Sequence, residues 1–207
     1  RQGGEGKRRV GERLSIAEGQ YMYEREFNYM TETSLAFRFG REEDLPRLGE
    51  LEKMCFTDPW SLQMLREEYK RPQGEYLLAE VEGVVQGYAG LWVWELLAEA
   101  HVSNVAVAPD FRGRGIGRLL MVGIMTLSEN KGAESMTLEV RESNFAAQKL
   151  YKGMGFVSAG LRPHYYANGE NALILWNYDI STTLQKYIVA DKKYAEMYEL
   201  MYKALHD

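Results

Sequence analysis

The sequence has few residues that could form disulfides or bind metals. Cysteine occurs once, as Cys55, and histidine three times in 207 residues. One thiol cannot form an internal disulfide, so we expect a reducing, cytoplasmic setting. These residues show no spacing typical of a metal site, and no metal is predicted. No base lies near Cys55 in the sequence, which favours a buried structural thiol over a covalent acyl carrier.

Long hydrophobic runs are also lacking. The longest apolar stretch, Tyr88 to Ala98, is interrupted by Glu95 and is shorter than the ~18 residues that a membrane span requires. No charged segment followed by an apolar run precedes the first predicted element. We therefore expect a soluble protein without a membrane partner.

Positive charge is not in excess. The chain has 25 Lys and Arg against 30 Asp and Glu, a net charge of −5 at pH 7. This balance argues against direct nucleic-acid binding, which needs a basic surface, and is compatible with a basic protein partner. The charge balance does not indicate the oligomeric state.

The length predicts about one domain, at roughly 150 residues per domain. Periodicity orders residues 35–180 as β-α-α-β-β-β-α-β-α-β-β, a mixed sheet with helices rather than a regular doubly wound fold. Ser61 and Asn144 are suited to cap two of these helices. Residues 1–34 show no apolar period and predict a flexible tail. Residues 181–207 have an apolar stripe, which predicts one C-terminal helix docked on its own domain.

A glycine-rich turn between a strand and the most regular predicted helix carries the strongest functional signal. The turn runs from Pro109 to Arg118, and the helix follows from Ile116. Its small and cationic residues are Gly113, Gly115, Gly117, Arg112, Arg114 and Arg118. Glycines permit close approach of a ligand, and a helix N-terminus offers unpaired N–H groups and positive potential, so the turn predicts a pyrophosphate site.

Two familiar nucleotide motifs do not match this turn. After Gly117, the residues Arg118 and Leu119 replace the Lys and Ser or Thr of a phosphate-binding NTPase loop. A dinucleotide-binding turn would need glycine at position 118 or 120, which hold Arg and Leu. A structural turn with solvated arginines is the alternative, and we favour the anion site.

The turn resembles the acyl-CoA-binding motif Arg/Gln-x-x-Gly-x-Gly/Ala of the GCN5-related N-acetyltransferases (GNATs), with Arg112, Gly115 and Gly117 in the matching places. The order of elements over 35–180 is similar to the mixed, mostly antiparallel sheet of that family. Further short motifs resemble the RimI branch, which acetylates the N-terminal alanine of ribosomal protein bS18. These motifs are Pro59-Trp60-Ser61, Asn104-Val105-Ala106-Val107, Leu138-Glu139-Val140-Arg141, Ser143-Asn144, Leu150-Tyr151, Gly155-Phe156 and Arg162-Pro163-His164-Tyr165-Tyr166.

The resemblance implies an acetyl-CoA-dependent N-α-acetyltransferase that acts on bS18 by direct transfer. Acetylation of another protein N-terminus or a small amine, and a non-catalytic acyl-CoA-binding module, remain as alternatives. The cofactor would be held by Val105, Ala106, Val107, Arg112, Gly113, Arg114, Gly115, Ile116, Gly117, Arg118 and Asn144. The segment 162–166 would lie on the substrate side.

Two residues are candidates for the chemistry, Glu139 and Tyr151. Glu139 lies on the strand face opposite Met136, Leu138 and Val140, so from spacing it either lines a cleft or faces solvent. The helical period places Tyr151 with core residues, which favours a structural aromatic. The family resemblance instead implies that Glu139 accepts the amine proton and that Tyr151 protonates the departing sulfur.

Overall fold

The computed structural model describes residues 26–27 and 35–206. The strands are β1 Glu26–Phe27, β2 Leu35–Phe39, β3 Gly74–Val81, β4 Val84–Trp94, β5 Glu99–Val107, β6 Ser135–Arg141, β7 Val157–Arg162 and β8 Ala172–Asn177. The helices are α1 Leu45–Cys55, α2 Leu62–Tyr69, α3 Ile116–Asn130, α4 Phe145–Gly153, α5 Ile180–Ala190 and α6 Lys192–His206. The predicted order of elements over 35–180 is confirmed. Among the described residues, no helix is long and apolar enough to cross a membrane.

The strands form one mixed sheet in the order β1-β2-β3-β4-β5-β6-β8-β7. All described neighbours are antiparallel except β5 and β6, which are parallel. The parallel pairing extends from Glu99 opposite Ser135 to Val102 opposite Leu138, and no further partners follow in the described chain. Residues 103–107 and 139–141 therefore border an opening in the middle of the sheet.

The larger part of the core lies between the sheet and α3. Eleven of the fifteen residues of α3 are buried, because the helix packs on the sheet with one face and against α6 with another. Gly123 is needed at this crossing: a Cβ there would lie 2.4 Å from both Leu77 Cδ2 and Met197 Cε. Helices α1 and α2 cover the opposite face of the sheet, where Leu48, Leu65 and other apolar side chains form a second cluster.

The C-terminal segment contains two helices, and the prediction of one continuous helix over 181–207 is wrong. Asp191 separates α5 from α6 with an extended backbone (φ −155°, ψ 128°). Its carboxylate accepts a hydrogen bond from the Lys193 N–H (3.0 Å), as Asp179 does from Thr182 at the start of α5 (2.8 Å). The turn brings α6 back along α3, where Met197 and Met201 are fully buried. Local capping by Asp191 thus divides the helix, although the apolar residues recur with helical spacing before and after it.

The predicted flexible tail, residues 1–34, lies outside the described residues except for 26–27. Those two residues pair with β2, with Glu26 opposite Arg38 and Phe27 opposite Phe37.

The close packing at Gly123 predicts a stability effect. Gly123→Val should lower the free energy of unfolding by about 1–3 kcal/mol, because the added methyls overpack the contact between α3, Leu77 and Met197. Urea denaturation followed by circular dichroism measures this change. Gly153→Val is the matched control, since a Cβ there meets no atom within 4 Å. Equal losses in the two variants would contradict the proposed crossing.

Candidate functional site

The turn between β5 and α3 exposes a row of main-chain amides. Gly113 (φ 75°) and Gly115 (φ 87°) adopt left-handed conformations that favour glycine. Within the described chain, the N–H groups of residues 113–117 donate to no acceptor, and the first helical bonds come from Arg118 and Leu119 to the Gly115 carbonyl. A Cβ on Gly113 or Gly115 would meet nothing within 4 Å. The backbone therefore offers consecutive free donors to an open space at the start of a fifteen-residue helix.

Three arginines belong to the same turn as these amides. Arg112 Nε donates to the Val107 carbonyl (3.0 Å), and Arg114 donates to the Asp110 carbonyl (3.0 Å). The Arg118 guanidinium points to the Tyr194 hydroxyl of α6 (3.5 Å). Each guanidinium has five N–H groups, so most of its donors stay available to an anion. The residues predicted to hold the pyrophosphate are thus brought together, and they fit that group.

The strand segment predicted to hold the cofactor, Val105 to Val107, borders the opening. One edge of this segment pairs with Ala89, Tyr88 and Gly87 of β4, and the other edge has no pairing partner in β6. The Val107 carbonyl also accepts a hydrogen bond from the Cys55 thiol (3.4 Å). Burial raises the pKa of the Cys55 thiol, which keeps it protonated and suits a structural role.

Glu139 lies at the point where β5 and β6 separate, on the face covered by α1 and α2. Its Oε2 is 2.7 Å from His101 Nε2, and its Oε1 is 3.0 Å from the Arg162 guanidinium. The side chain is 10% exposed, so the first of the two sequence alternatives, a cleft position, describes it. The hydrogen bond from His101 lowers the pKa of Glu139, against the opposing effect of burial. Glu139 is therefore a carboxylate at neutral pH.

The sequence reasoning missed His101. Its ring stacks on Trp92 with the centroids 4.8 Å apart, and its Nδ1 is buried without a hydrogen-bond partner in the described structure. Within the paired register, His101 lies opposite Thr137, which shares a strand face with Glu139. Strand alternation could have placed the two side chains on one face, but only with knowledge that β5 and β6 are neighbours.

Tyr151 lies on α4 and belongs to the larger core cluster. The side chain is 7% exposed, and its ring lies 5.8 Å from that of Phe156. Burial, with a smaller contribution from Tyr166, raises the pKa of the Tyr151 phenol above its ordinary value. The hydroxyl keeps its proton at neutral pH and can donate it. Asn144 caps the same helix, since its side-chain oxygen accepts from the Ala147 N–H (3.1 Å).

The loop after β7 forms one rim of the opening. Arg141 stacks on the Tyr166 ring (3.7 Å) and forms ion pairs with Glu170 (3.0 Å) and Asp58 (2.5 Å). Asp58 belongs to the loop between α1 and α2, so Arg141 connects both loops across the end of β6. Tyr165 is 49% exposed at this rim.

A buried carboxylate, also missed from the sequence, fixes the α1–α2 loop to the sheet. Glu52 has no exposed surface and accepts hydrogen bonds from the Trp60 N–H (2.7 Å), the Asn104 amide (2.9 Å) and the Tyr88 hydroxyl. Burial raises the pKa of Glu52, and these donors act in the opposite direction. The signal in the sequence is a glutamate in the apolar stripe of α1, which by itself does not reveal its partners.

Comparison with known proteins identifies the family to which this fold belongs. The sequence model of the Acetyltransferase (GNAT) family matches residues 45–156. The "Putative ribosomal protein bS18-alanine N-acetyltransferase" of Bacillus subtilis (strain 168) is 38% identical over 146 residues, 70% of this chain and 95% of the relative. The ribosomal protein bS18-alanine N-acetyltransferase of Salmonella typhimurium is 37% identical over 136 residues, 64% of this chain and 89% of the relative.

A solved structure agrees with these sequence relatives. The ribosomal-protein-S18-alanine N-acetyltransferase of Escherichia coli superposes with a TM-score of 0.63 at 30% identity, covering 69% of this chain and 92% of that one. The chain belongs to the GNAT family of acetyltransferases. Within that family it is similar to the RimI branch, as its motifs predicted.

The hydrogen bonds that Glu52 accepts predict a large effect of one substitution on stability. Glu52→Ala should lower the free energy of unfolding by about 2–4 kcal/mol, because three donors, including the buried Tyr88 hydroxyl, lose their acceptor. Urea denaturation is the measurement. In the control Glu50→Ala, the lost carboxylate is 63% exposed and pairs with Arg47 at the surface, so the change should stay below about 1 kcal/mol. Similar losses for both residues would refute a supporting role for Glu52.

Proposed function

We propose that this chain transfers an acetyl group from acetyl-CoA to the N-terminal α-amine of a protein, with ribosomal protein bS18 as the substrate. The observation that carries the proposal is a carboxylate, Glu139, at the opening of the sheet, in the same site as a row of free amides at residues 113–117. The relatives named for bS18 support the choice of substrate.

The chain's own residues fit a cofactor with a diphosphate and an extended amide-containing arm. Free amides of residues 113–117 and the guanidiniums around them would hold the diphosphate. The unpaired edge of Val105 to Val107 would hold the arm by main-chain hydrogen bonds. When bound, acetyl-CoA supplies an activated thioester. Asn144 would approach the cofactor from the start of α4.

The nucleophile must be a neutral amine, and the type of amine determines the free energy needed to deprotonate it. An α-amine has a pKa near ~7.7–8.0, whereas a lysine amine, near ~10.4, requires about 3.5 kcal/mol more for deprotonation. One ionised carboxylate at the opening is a sufficient base for deprotonating the α-amine. Glu139 accepts the amine proton, directly or through a water, and the Tyr151 hydroxyl provides the proton that the departing sulfur takes.

An acetylation assay tests the activity and the substrate together. A peptide with the N-terminal sequence of bS18, beginning with alanine, should be acetylated on its α-amine. The same peptide with a blocked N-terminus and an internal lysine should react at least about 100-fold more slowly, because of the cost of deprotonating lysine. Mass spectrometry locates the acetyl group.

One variant and the identity of the products separate the alternatives in that assay. Glu139→Gln should lower turnover while CoA affinity is retained. Preference for an unrelated N-terminus or for a small amine would replace bS18 as the substrate, and CoA binding without any transfer would favour a non-catalytic module.

Cofactor binding at the turn is tested by filling the open space above the amides. Gly115→Trp should reduce CoA affinity at least about 100-fold, since the indole would occupy the place of the diphosphate. Calorimetry measures the affinity. Gly132→Trp is a matched control: this glycine also has a left-handed backbone (φ 84°) and open space, but it follows the other end of α3. Wild-type affinity in Gly115→Trp would refute the placement.

A further inference from the structure

Glu139 has a different neighbour on each carboxylate oxygen. Its Oε2 lies 2.7 Å from His101 Nε2, and its Oε1 lies 3.0 Å from Nη2 of Arg162. The His101 side chain is 16% exposed and its ring stacks on Trp92, so this side of the carboxylate is enclosed by protein. The Arg162 side chain is 53% exposed. A ligand from solvent therefore approaches Glu139 on the side of Oε1, where it meets Arg162.

The sheet register explains how Arg162 reaches this oxygen from β7, two strands away from β6. Opposite residues in an antiparallel pair project from the same face of the sheet. Glu139 lies opposite Ile174 of β8, and Arg162 lies opposite Ala172, two residues earlier on that strand. The four side chains thus share one face. The short side chain of Ala172 leaves room for the long Arg162 side chain to cross β8 towards Glu139.

The position that Arg162 occupies is the one that a substrate ammonium needs. The proton of the α-amine must pass to a carboxylate oxygen, and Oε1 is the oxygen on the accessible side of Glu139. An α-ammonium group has the same charge as a guanidinium and donates the same kind of hydrogen bond to a carboxylate. Two cations beside one oxygen repel each other, so the binding of one opposes the binding of the other.

We propose that the α-ammonium group of the substrate displaces the Arg162 guanidinium from Oε1 of Glu139, and that Arg162 thereby selects for a cationic amine. The inference rests on the proposed transferase activity and names the oxygen that receives the proton. At Oε1 the ammonium passes one proton to that oxygen, which leaves a neutral amine and a carboxylic acid, and Glu139 later releases the proton to solvent. Arg162 is a specificity-determining residue, since a ligand must compete with it for the base.

The surroundings of Arg162 suit a guanidinium that moves over a short distance. Its central carbon lies 5.5 Å from the centre of the Tyr165 ring, and Tyr165 is 49% exposed. A cation within ~6 Å of an aromatic ring is attracted to the face of that ring, and this attraction does not depend on Oε1. Arg162 therefore gives up one partner and keeps another.

Two phenols of the loop after β7 are close enough to Glu139 to interact with its charge. Burial, with a smaller contribution from Glu139, raises the pKa of the Tyr165 phenol. Burial also raises the pKa of Tyr166 to about 12. Both phenols are neutral at neutral pH, so the ion pair with Arg162 is the interaction that an incoming ammonium replaces.

Peptide binding without transfer tests this exchange. CoA has no acetyl group to transfer, and at about pH 6.5 most of an α-amine is protonated. With CoA present, Arg162→Gln should bind the N-terminal peptide of bS18 about 3–10-fold more tightly than the wild type, because no guanidinium has to be displaced. The same peptide with an acetylated N-terminus should bind both proteins equally, within about twofold. Calorimetry measures these dissociation constants.

Three variants control the measurement. Arg162→Lys keeps a cation beside Glu139 and should bind the free-amine peptide within about twofold of the wild type. Arg66→Gln removes an arginine of similar exposure, 47%, whose partner is Glu42 at 3.6 Å, and should not change peptide binding. In Glu139→Gln, the addition of Arg162→Gln should no longer tighten binding, because the carboxylate for which the two cations compete is lost.

A spectroscopic readout follows Arg162 itself in the full chain. With nitrogen-15-labelled arginine, the Nε signal of Arg162 is identified as the one that Arg162→Lys removes. This signal should shift when the free-amine peptide is added and stay in place when the acetylated peptide is added. The wild-type spectrum keeps the test decisive if Arg162→Gln fails to fold.

The outcomes separate this inference from the proposed function. Acetylation by the wild type, together with equal or weaker binding of the free-amine peptide by Arg162→Gln, would overturn the exchange and leave the transferase intact. An Arg162 signal that does not respond to the free-amine peptide would overturn it as well. Failure of the wild type to acetylate any amine would refute the proposed function and this inference with it.

Discussion

The separation of β5 from β6 is the constraint on which the rest of the structure depends. The two strands pair in parallel from Glu99 to Val102, and then the pairing ends. A sheet that stops pairing in its interior leaves main-chain donors and acceptors without partners, which is costly unless a ligand or water satisfies them. The unpaired edge of β5 leads directly into the turn whose amides at 113–117 are also free. The interruption of the sheet therefore places an open slot directly before the free amides of the turn.

The polar groups around this opening are placed by long-range ion pairs and hydrogen bonds. Glu52 joins α1 to Asn104 on β5, and Arg141 joins β6 to Asp58 in the α1–α2 loop. Buried or half-buried charges of this kind add little stability on balance, but they define which loop lies against which strand. They connect α1 and the α1–α2 loop to β5 and β6 on either side of the opening. Glu139 fits the same pattern, since His101 and Arg162 occupy both of its oxygens.

Local features of the chain were predictable because their causes are local. Strand β2 is predicted with its observed bounds from the alternation of Leu35–Phe39, and α3 is predicted from its apolar stripe. The caps at Ser61 and Asn144 also occur, since a side-chain oxygen two or three residues from a helical N–H needs no tertiary contact. The C-terminal segment shows where this reasoning ends. Its apolar period continues past Asp191, but the chain turns there so that α6 packs along α3.

The sequence by itself determined the element order, the glycine turn, and the family to which its motifs belong, because each of these depends on residues close together in the chain. It also identified Glu139 as a candidate, without deciding between a cleft and the solvent. Only the tertiary structure decided that question, and it added His101 and Arg162, which contact Glu139 from 38 and 23 positions away in the chain. It also added Glu52 of α1, which contacts Asn104 of β5 from 52 positions away. Such contacts follow from the order and registers of the strands, and these are set by packing across the whole sheet.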